Sequence, residues 1–396
     1  MTIFNSLGSN YDNRFVQKTL RASNKKENAT RLKHYLEKRY AGEATLVYKG
    51  REAIRLALRA IARKGSAVGI CGFTCFAVYE AIVKEGYSVV YFDIDQSLNY
   101  SLETVKKMLE KHPEMKVLLI QNTLGYPAEG EQITKFCREK GIVVIEDLAH
   151  CIGTTYKNGK EAGTVGDFVI LSFSQDKVID GISGGALVIR NKEWRIQNGE
   201  KELLTINSQK QQKDRYYPWF TWMIRKTYRF GFGKVLHFSL KKMKLLQSPM
   251  DNQESDAIHK LPNWNAELIY QQYTNLAETA VHRNKIATIY AEHLEKNVLE
   301  KSICNTIDSS ANLRFPIFVE KRDELLLSLK KKNIYISDTW YDAPIGPKKY
   351  LSRTDYKNQC PNAEVIATRI VNLPTHRNVS EKDAIFIVEE INQWFK

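Results

Sequence analysis

Short apolar runs alternate with amphipathic segments over the first 190 residues of the chain. The apolar runs are typical of buried strands and cover residues 45–48, 67–73, 88–94, 116–122, 141–147, 168–174 and 184–190. Segments of helical period lie between the runs from 67 to 147, and another follows Gly50. Strands joined by helices run parallel and are covered on both faces. The pattern therefore predicts a doubly wound α/β domain, whose ligands bind at the carboxyl ends of the strands.

The pattern changes after residue 190. A basic, aromatic segment spans 210–246, and a long helical stretch covers 265–295. From 312 onward, strand-like and helix-like runs alternate as in an α+β unit, and a closing helix begins after Ser380, with Asp383 three residues into it. We expect a large domain over 1–250, which includes the basic insertion 210–246, and a smaller α+β domain over 251–396.

Composition excludes several classes of protein. The 396 residues are 43% hydrophobic and 26% charged, which is ordinary for a globular chain. No apolar run is long enough for a membrane span, and the N-terminus lacks the pattern of a secretory signal. The six cysteines are scattered and give no zinc-binding set, so we expect reduced thiols in a cytoplasmic protein without a metal site.

Three features converge on the carboxyl edge of the predicted sheet. Asp147 ends one strand, Lys177 follows the next strand, which carries Ser172, and Gly50 and Arg51 open a helix. Taken alone, the aspartate is equally well a capping residue, and a lysine at such a position is usually solvated. Together they suit a ring nitrogen, an aldehyde and a phosphate, which is the chemistry of pyridoxal phosphate. The glycine patterns of nucleotide-hydrolysing and dinucleotide-binding sites are absent.

Longer stretches of the chain carry a family resemblance. They are IEDLAHCIGTTYKNGKEAGTVGD at 145–167, SFSQDKVIDGISGG at 172–185 and CPNAEVIATRIVNLPTHRNVSEKD at 360–383, with shorter matches at 72–74, 92–95 and 124–127. In these stretches the chain resembles the DegT/DnrJ/EryC1/StrS sugar aminotransferases. The resemblance covers roughly 45–205 and 262–393. It implies the type I fold of pyridoxal-phosphate-dependent transferases, with a large, mostly parallel sheet domain and a smaller C-terminal domain.

The resemblance also implies roles for the residues at the sheet edge. Lys177 would hold the cofactor covalently and carry the proton during catalysis. Asp147 would pair with the pyridinium nitrogen, and His150 would pack at the ring and its 3-oxygen. The phosphate would be bound by the side chain of Ser172 and by the backbone of Gly50 and Arg51.

This sequence departs from the family pattern at several positions. Cys75 stands where an aromatic residue normally stacks on the cofactor, and we expect the adjacent Phe76 to take that role. Asn263 is the nearest candidate for the residue that reaches the neighbouring subunit's phosphate. Ser183 replaces an acidic residue of a glycine-rich segment.

By analogy with other type I enzymes, Asn10 and Tyr11 are candidate substrate contacts. A simple turn explains these two residues equally well.

The resemblance predicts amino transfer from an amino acid, glutamate in the family, to a keto sugar linked to a nucleotide or a polyprenyl carrier. Such a reaction belongs to the biosynthesis of cell-surface polysaccharide, including lipopolysaccharide, and the family implies a homodimer. Two alternatives stay open. Relatives that replace the lysine by histidine are dehydratases, although this chain keeps Lys177. The second alternative to an aminotransferase is a non-catalytic binding module of the same fold.

The net charge of +14 is concentrated in one segment. Residues 210–246 hold ten lysines and arginines, one aspartate and nine aromatic residues. The spacing predicts two helices, 219–230 and 232–246, separated at Gly231 and Gly233. Basic and aromatic residues at helical spacing are typical of a helix that lies on an anionic membrane. We therefore hypothesise peripheral contact with the inner face of the membrane, against the alternative of an insertion packed at a dimer interface or over the active site. No nucleic-acid motif is present, and we expect no nucleic-acid partner.

Overall fold

The computed structural model describes residues 2–196, 202–246, 256–336 and 341–396. The strands are β1 (Ile3–Phe4), β2 (Glu43–Val47), β3 (Ala67–Cys71), β4 (Thr74–Cys75), β5 (Ser88–Phe92), β6 (Met115–Gln121), β7 (Val143–Asp147), β8 (Phe168–Ser172), β9 (Gly185–Ile189), β10 (Arg314–Phe318), β11 (Ile334–Tyr335), β12 (Ile345–Gly346) and β13 (Ile370–Pro374).

The helices cover both the sheet region and the C-terminal part. They are α1 (Asn13–Arg21), α2 (Lys26–Tyr40), α3 (Gly50–Ile61), α4 (Phe76–Lys84), α5 (Leu102–Lys111), α6 (Gly130–Glu139), α7 (Ser208–Thr227), α8 (Phe232–Lys242), α9 (Asn263–Thr274), α10 (Leu276–His293), α11 (Lys301–Cys304), α12 (Arg322–Lys331), α13 (Pro361–Arg369) and α14 (Glu381–Trp394).

In the described part of the chain, seven strands form the central sheet in the order β2-β9-β8-β7-β6-β3-β5. The strands from β8 to β5 in this order are parallel, whereas β9 pairs antiparallel with both β8 and β2. Each of the seven apolar runs predicted from the sequence forms one of these strands. Because the strands are buried on both faces, their apolar character is continuous rather than alternating. The predicted α/β class with a mostly parallel sheet is confirmed.

The C-terminal part has its own small antiparallel sheet, in which β10 pairs with β13. In the same part of the chain, α14 packs against α10 and α12. The start of α14 is a capping box: Asp383 N donates to Ser380 Oγ at 3.2 Å, and Ser380 N donates to an Asp383 carboxylate oxygen at 2.8 Å. The N-terminal β1 joins this region by pairing with β11. The expected domain boundary at 250–251 lies outside the described residues.

The basic segment folds as two helices, α7 and α8, linked by a short turn. The sequence places the first helix at 219–230, yet α7 begins at Ser208 and continues through Pro218. Its earlier start is stabilised by Asn207, whose side-chain oxygen accepts a hydrogen bond from Lys210 N at 2.8 Å. None of the helices in the described ranges is both long enough and apolar enough to cross a membrane.

Candidate active site

A cleft opens at the carboxyl ends of β7 and β8, beside the first turn of α3. This is the edge at which ligands of parallel sheets bind. Six of the eight predicted cofactor-binding residues line it: Gly50, Arg51, Asp147, His150, Ser172 and Lys177. Among the described residues, no cluster of histidine, cysteine and carboxylate side chains is arranged to hold a metal ion.

Asp147 is the last residue of β7 and is buried. One of its carboxylate oxygens accepts a hydrogen bond from Ala149 N at 2.9 Å. Burial raises the pKa of this carboxyl, while the Ala149 N–H and the charge of Lys177 act in the opposite direction. A cationic partner inside the cleft would restore the ionised form, so Asp147 is suited to a protonated ring nitrogen.

Lys177 lies in the loop that follows β8 and is only 9% exposed. Its backbone is fixed on both sides, because Asn10 Nδ2 donates to Lys177 O at 3.1 Å and Lys177 N donates to Ser174 O at 3.4 Å. The preceding Asp176 has φ of 63°, which few residues other than glycine adopt. This strained turn and its hydrogen bonds direct the lysine toward the cleft.

Gly50 and Ser172 form the floor of the cleft next to the helix start. A Cβ atom added at Gly50 would lie 2.8 Å from Ser172 Cβ and 3.1 Å from Ser172 Oγ, so only glycine leaves space there. The guanidinium of Arg51 is engaged by Glu80 at 2.7 Å. At this corner of the cleft, the N–H groups of the first turn of α3 and the Ser172 hydroxyl are available to donate to an anion.

The donor set of the cleft fits pyridoxal phosphate. It combines an amine for the aldehyde, a buried carboxylate for the ring nitrogen, and a helix start with a hydroxyl for the phosphate. The absence of a side chain at Gly50 keeps the phosphate position open.

His150 also lines the cleft and is buried. Burial, together with the charges of Lys177 and Arg314, holds the pKa of its imidazole well below the usual value, so the ring is neutral. Its Nδ1 lies 3.0 Å from the hydroxyl of Tyr341. Sequence reasoning missed Tyr341, which is 191 residues distant and carries no local motif.

Lys49 is a second lysine in the cleft that the sequence did not single out. Burial and the nearby Arg51 lower its pKa to about 8. Its position directly before Gly50, at the start of α3, was the available signal. Among the residues that the structure describes, the cleft is thus lined by two lysines: Lys49 at the helix start and Lys177 after β8.

Phe76 does not line the cleft, although its neighbours Cys75 and Ala77 do. It is 2% exposed and its ring stacks on Tyr350, with centroids 5.0 Å apart and planes at 20°. The expected stacking of Phe76 on a cofactor therefore finds no support in this placement. The reason is a tertiary contact with a residue 274 positions away, which the local sequence does not indicate.

Asn10 and Tyr11 lie beneath the loop that carries Lys177 and not among the residues of the cleft. Tyr11 is fully buried, and its hydroxyl donates to an oxygen of Asp180 at 2.8 Å. Asn10 donates to the other oxygen of Asp180 at 3.2 Å as well as to Lys177 O. Both residues hold the lysine loop in place.

Asn263 starts α9 and is placed away from the cleft of its own chain. Its side chain donates to Asn24 O at 3.1 Å at an exposed position. Contact with the phosphate of a neighbouring subunit, implied by the resemblance, stays a prediction.

The acidic residue that Ser183 replaces has a substitute in α7. Ser183 Oγ donates to Asp214 Oδ2 at 2.9 Å, and the hydroxyl of Tyr48 donates to the same carboxylate. Lys210 Nζ lies 2.7 Å from its other oxygen. The basic insertion therefore supplies a buried carboxylate beside the glycine-rich segment, a contact that the sequence did not reveal.

Comparisons with known proteins identify the family to which the chain is similar. The model of the DegT/DnrJ/EryC1/StrS aminotransferase family matches residues 16–392. GDP-perosamine synthase of Escherichia coli O157:H7 is 24% identical over 370 residues, which are 91% of this chain and 88% of that protein. A pleiotropic regulatory protein of Geobacillus stearothermophilus is 24% identical over 353 residues, or 88% and 83% of the two chains.

A solved structure shares the fold over its whole length. PseC of Helicobacter pylori, an aminotransferase involved in the biosynthesis of pseudaminic acid, superposes with a TM-score of 0.74 at 18% identity, and the match covers 100% of this chain and 99% of that chain. The fold is that of type I pyridoxal-phosphate-dependent transferases, and the chain is a pyridoxal-phosphate-dependent aminotransferase. With a family match that extends over nearly all of its residues, the chain belongs to the DegT/DnrJ/EryC1/StrS aminotransferase family.

Proposed function

We propose that this enzyme transfers the amino group of glutamate to a keto sugar carried on a nucleoside diphosphate or a polyprenyl phosphate, in the biosynthesis of cell-surface polysaccharide. The observation that carries the proposal is the meeting of Lys177 and Asp147 in one cleft, at the ends of adjacent strands. Support for the sugar comes from the relative described as GDP-perosamine synthase. The neighbour PseC, described as acting in pseudaminic acid biosynthesis, supports it as well.

When bound, pyridoxal phosphate supplies an aldehyde and an electron-withdrawing ring. Lys177 Nζ would hold the cofactor and would be freed when the amino acid takes its place. The free amine would then accept the proton of the amino acid's α-carbon, pass it to the cofactor carbon that carried the aldehyde and, in the second half of the reaction, move a proton from that carbon to the sugar carbon that receives the amine. The carboxylate of Asp147 would keep the ring nitrogen protonated, and the imidazole of His150, which burial keeps neutral, would pack at the ring.

The phosphate would be bound by the Ser172 hydroxyl and by the N–H groups of Gly50 and Arg51 at the start of α3. Lys49 lies in the same turn and, with a pKa of about 8, is mostly protonated near neutral pH. Its charge suits an anionic carrier such as a diphosphate, which lies outside the cofactor's own phosphate site.

The active enzyme is proposed to be a cytoplasmic homodimer. Asn263 begins a helix and is partly exposed. The contact with the phosphate in the partner's cleft, which the family resemblance implies, is the reason for proposing a dimer. Size-exclusion chromatography with light scattering tests this assembly directly. A monomer that transfers amino groups at full rate would contradict it.

The test of the reaction uses purified enzyme loaded with pyridoxal phosphate. We expect glutamate to shift the absorbance from the lysine-bound cofactor to its amine form, and a keto sugar linked to a nucleotide to reverse the shift. A panel of nucleotide-linked and polyprenyl-linked keto sugars then identifies the carrier. A protein that binds the cofactor but shows no shift with any amino acid would refute amino transfer and favour a regulatory role, as the name of the Geobacillus relative suggests.

A further inference from the structure

The turn after α7 and the outer face of α8 expose large apolar side chains. Each is more than half exposed: Phe230 at 83%, Phe232 at 56%, Val235 at 65%, Phe238 at 70% and Met243 at 59%. Single exposed apolar residues are ordinary, but five within fourteen positions form a patch that marks an interaction site.

The orientation of α8 explains why these side chains point outward. Phe232, Val235 and Phe238 recur every three residues and share one face of the helix. Gly233 and Leu240 lie on the other face and are buried. A Cβ atom at Gly233 would collide with the backbone of Ile224 in α7, so the two helices pack closely there. The apolar face is therefore the one turned away from the protein.

The charged residues of the segment that forms this face are all positive. Residues 228–244 contain no aspartate or glutamate, and their five cations are Arg229, Lys234, Lys241, Lys242 and Lys244. The three C-terminal lysines are exposed. Lysine stems of this length lie along an apolar surface while their ammonium groups reach outward.

We propose that the face formed by the 229–231 turn and α8 docks onto the surface of an anionic phospholipid bilayer. Aromatic side chains enter the headgroup region, and lysines pair with lipid phosphates. A second copy of this chain is a poor occupant because a symmetric contact would bring five cations against five cations. An anionic bilayer satisfies both the apolar and the positive character of the face.

The face is held rigidly on the folded protein. Tyr217, Thr221 and Ile224 of α7 are buried, and Arg225 donates to the backbone carbonyl of Tyr11. The opposite end of α7 reaches the glycine-rich segment of the catalytic domain through Asp214. Docking thus needs no folding step, and it would hold the enzyme at the membrane surface. The inference does not depend on which substrate the enzyme takes.

The test is flotation of the full-length, cofactor-loaded enzyme with vesicles. We expect binding to vesicles of phosphatidylcholine with phosphatidylglycerol and little binding to phosphatidylcholine alone. Raising the salt from about 0.1 M to about 1 M shortens the electrostatic screening length from roughly 10 Å to roughly 3 Å. This should release most of the protein from the vesicles. Equal binding to both kinds of vesicle, or to neither, would overturn the proposal.

Two matched sets of variants locate the contact. The apolar variant is Phe230→Ser, Phe232→Ser and Phe238→Ser. Its control replaces equally exposed apolar residues elsewhere: Val281→Ser, Leu327→Ser and Val365→Ser. Roughly tenfold weaker partition is expected per phenylalanine, from the area that each ring buries. The control should bind like the wild type, and an equal loss in both variants would contradict the proposal.

The charge variant is Lys241→Gln, Lys242→Gln and Lys244→Gln, and its control changes three exposed lysines of α5, namely Lys106, Lys107 and Lys111, to glutamine. Each lysine near the bilayer is expected to contribute about fivefold to partition onto the vesicles, so the two triple variants should differ by roughly 100-fold in partition.

Tighter binding to an RNA oligomer than to vesicles at the same salt would assign the face to nucleic acid instead. Loss of a dimer in the phenylalanine variant, with vesicle binding unchanged, would assign it to a second copy.

All four variants should keep the glutamate-dependent absorbance shift, since none of the changed residues lines the cleft. Failure of vesicle binding with intact amino transfer would therefore refute only the docking surface. Failure of amino transfer with intact vesicle binding would refute only the proposed function.

Discussion

The change Tyr11→Phe isolates one hydrogen bond that supports the catalytic loop. The hydroxyl of Tyr11 donates to Asp180 Oδ1 at 2.8 Å, and the ring stacks on Phe15 with centroids 4.8 Å apart. Phenylalanine keeps the stacking and removes only the hydroxyl. A buried hydrogen bond to a charged group contributes about 1.5–3 kcal/mol to the free energy of unfolding.

The stability lost in Tyr11→Phe should be larger at high pH than at low pH. Burial and the neighbouring Asp176 raise the pKa of Asp180 to about 7, whereas the hydrogen bonds from Ile182 N, Tyr11 and Asn10 lower it. Below this value the folded protein holds a proton that the unfolded chain releases near pH 4, so this group's contribution to stability falls as pH rises toward 7. Removing the hydroxyl raises the pKa of Asp180 further. The variant should therefore lose about 1 kcal/mol at about pH 5.5 and about 2–3 kcal/mol at about pH 8.5.

Urea unfolding of the cofactor-saturated wild type and variant at both pH values measures this difference. Comparison of the two proteins cancels the titration of groups that they share. Tyr216→Phe is the control, because this tyrosine is 47% exposed and its change should cost less than about 0.5 kcal/mol. An equal loss at both pH values, or a loss below about 0.5 kcal/mol at about pH 8.5, would refute the reasoning.

Two further changes test the supports of the cleft. Glu146 accepts hydrogen bonds from three backbone N–H groups of the 163–166 loop at 2.7–2.9 Å and from the hydroxyl of Tyr156. Because an amide has only one oxygen, Glu146→Gln should leave at least one of these N–H groups without an acceptor. We expect the free energy of unfolding in urea to fall by about 2–4 kcal/mol. Glu103→Gln, at a 63% exposed position, is its control, and indistinguishable midpoints for the two would contradict the assignment. Asp214→Asn removes the carboxylate that faces Lys210 at 2.7 Å, and we expect a loss of about 2 kcal/mol together with faster proteolysis in the α7 segment. Unchanged cleavage rates would show that this ion pair does not fasten the insertion to the sheet.

Much of the sheet could be predicted because buried parallel strands consist of short, continuous apolar runs. Asp147 and Ser172 then follow by counting to the ends of β7 and β8. The sequence could not supply contacts between distant segments. Tyr341 reaches His150 across 191 residues, and Phe76 turns to Tyr350 instead of the cleft.

In the insertion, too, the local structure could be predicted from the sequence, whereas the contacts with distant residues could not. Its charge, its aromatic residues and its two helices follow from the sequence, although the first helix begins earlier than predicted. Ser183 in place of an acidic residue signals a missing carboxylate. The source of the substitute, Asp214, emerges only when α7 is folded against the glycine-rich segment.

The most direct test of the account is to identify the lysine that binds the cofactor. Borohydride reduction of the enzyme with pyridoxal phosphate fixes the cofactor to its lysine, and mass spectrometry of the digested protein locates it. The account predicts a single phosphopyridoxyl group on Lys177, and none in the Lys177→Ala variant. Attachment to Lys49, the other lysine of the cleft, or no attachment at all, would contradict it.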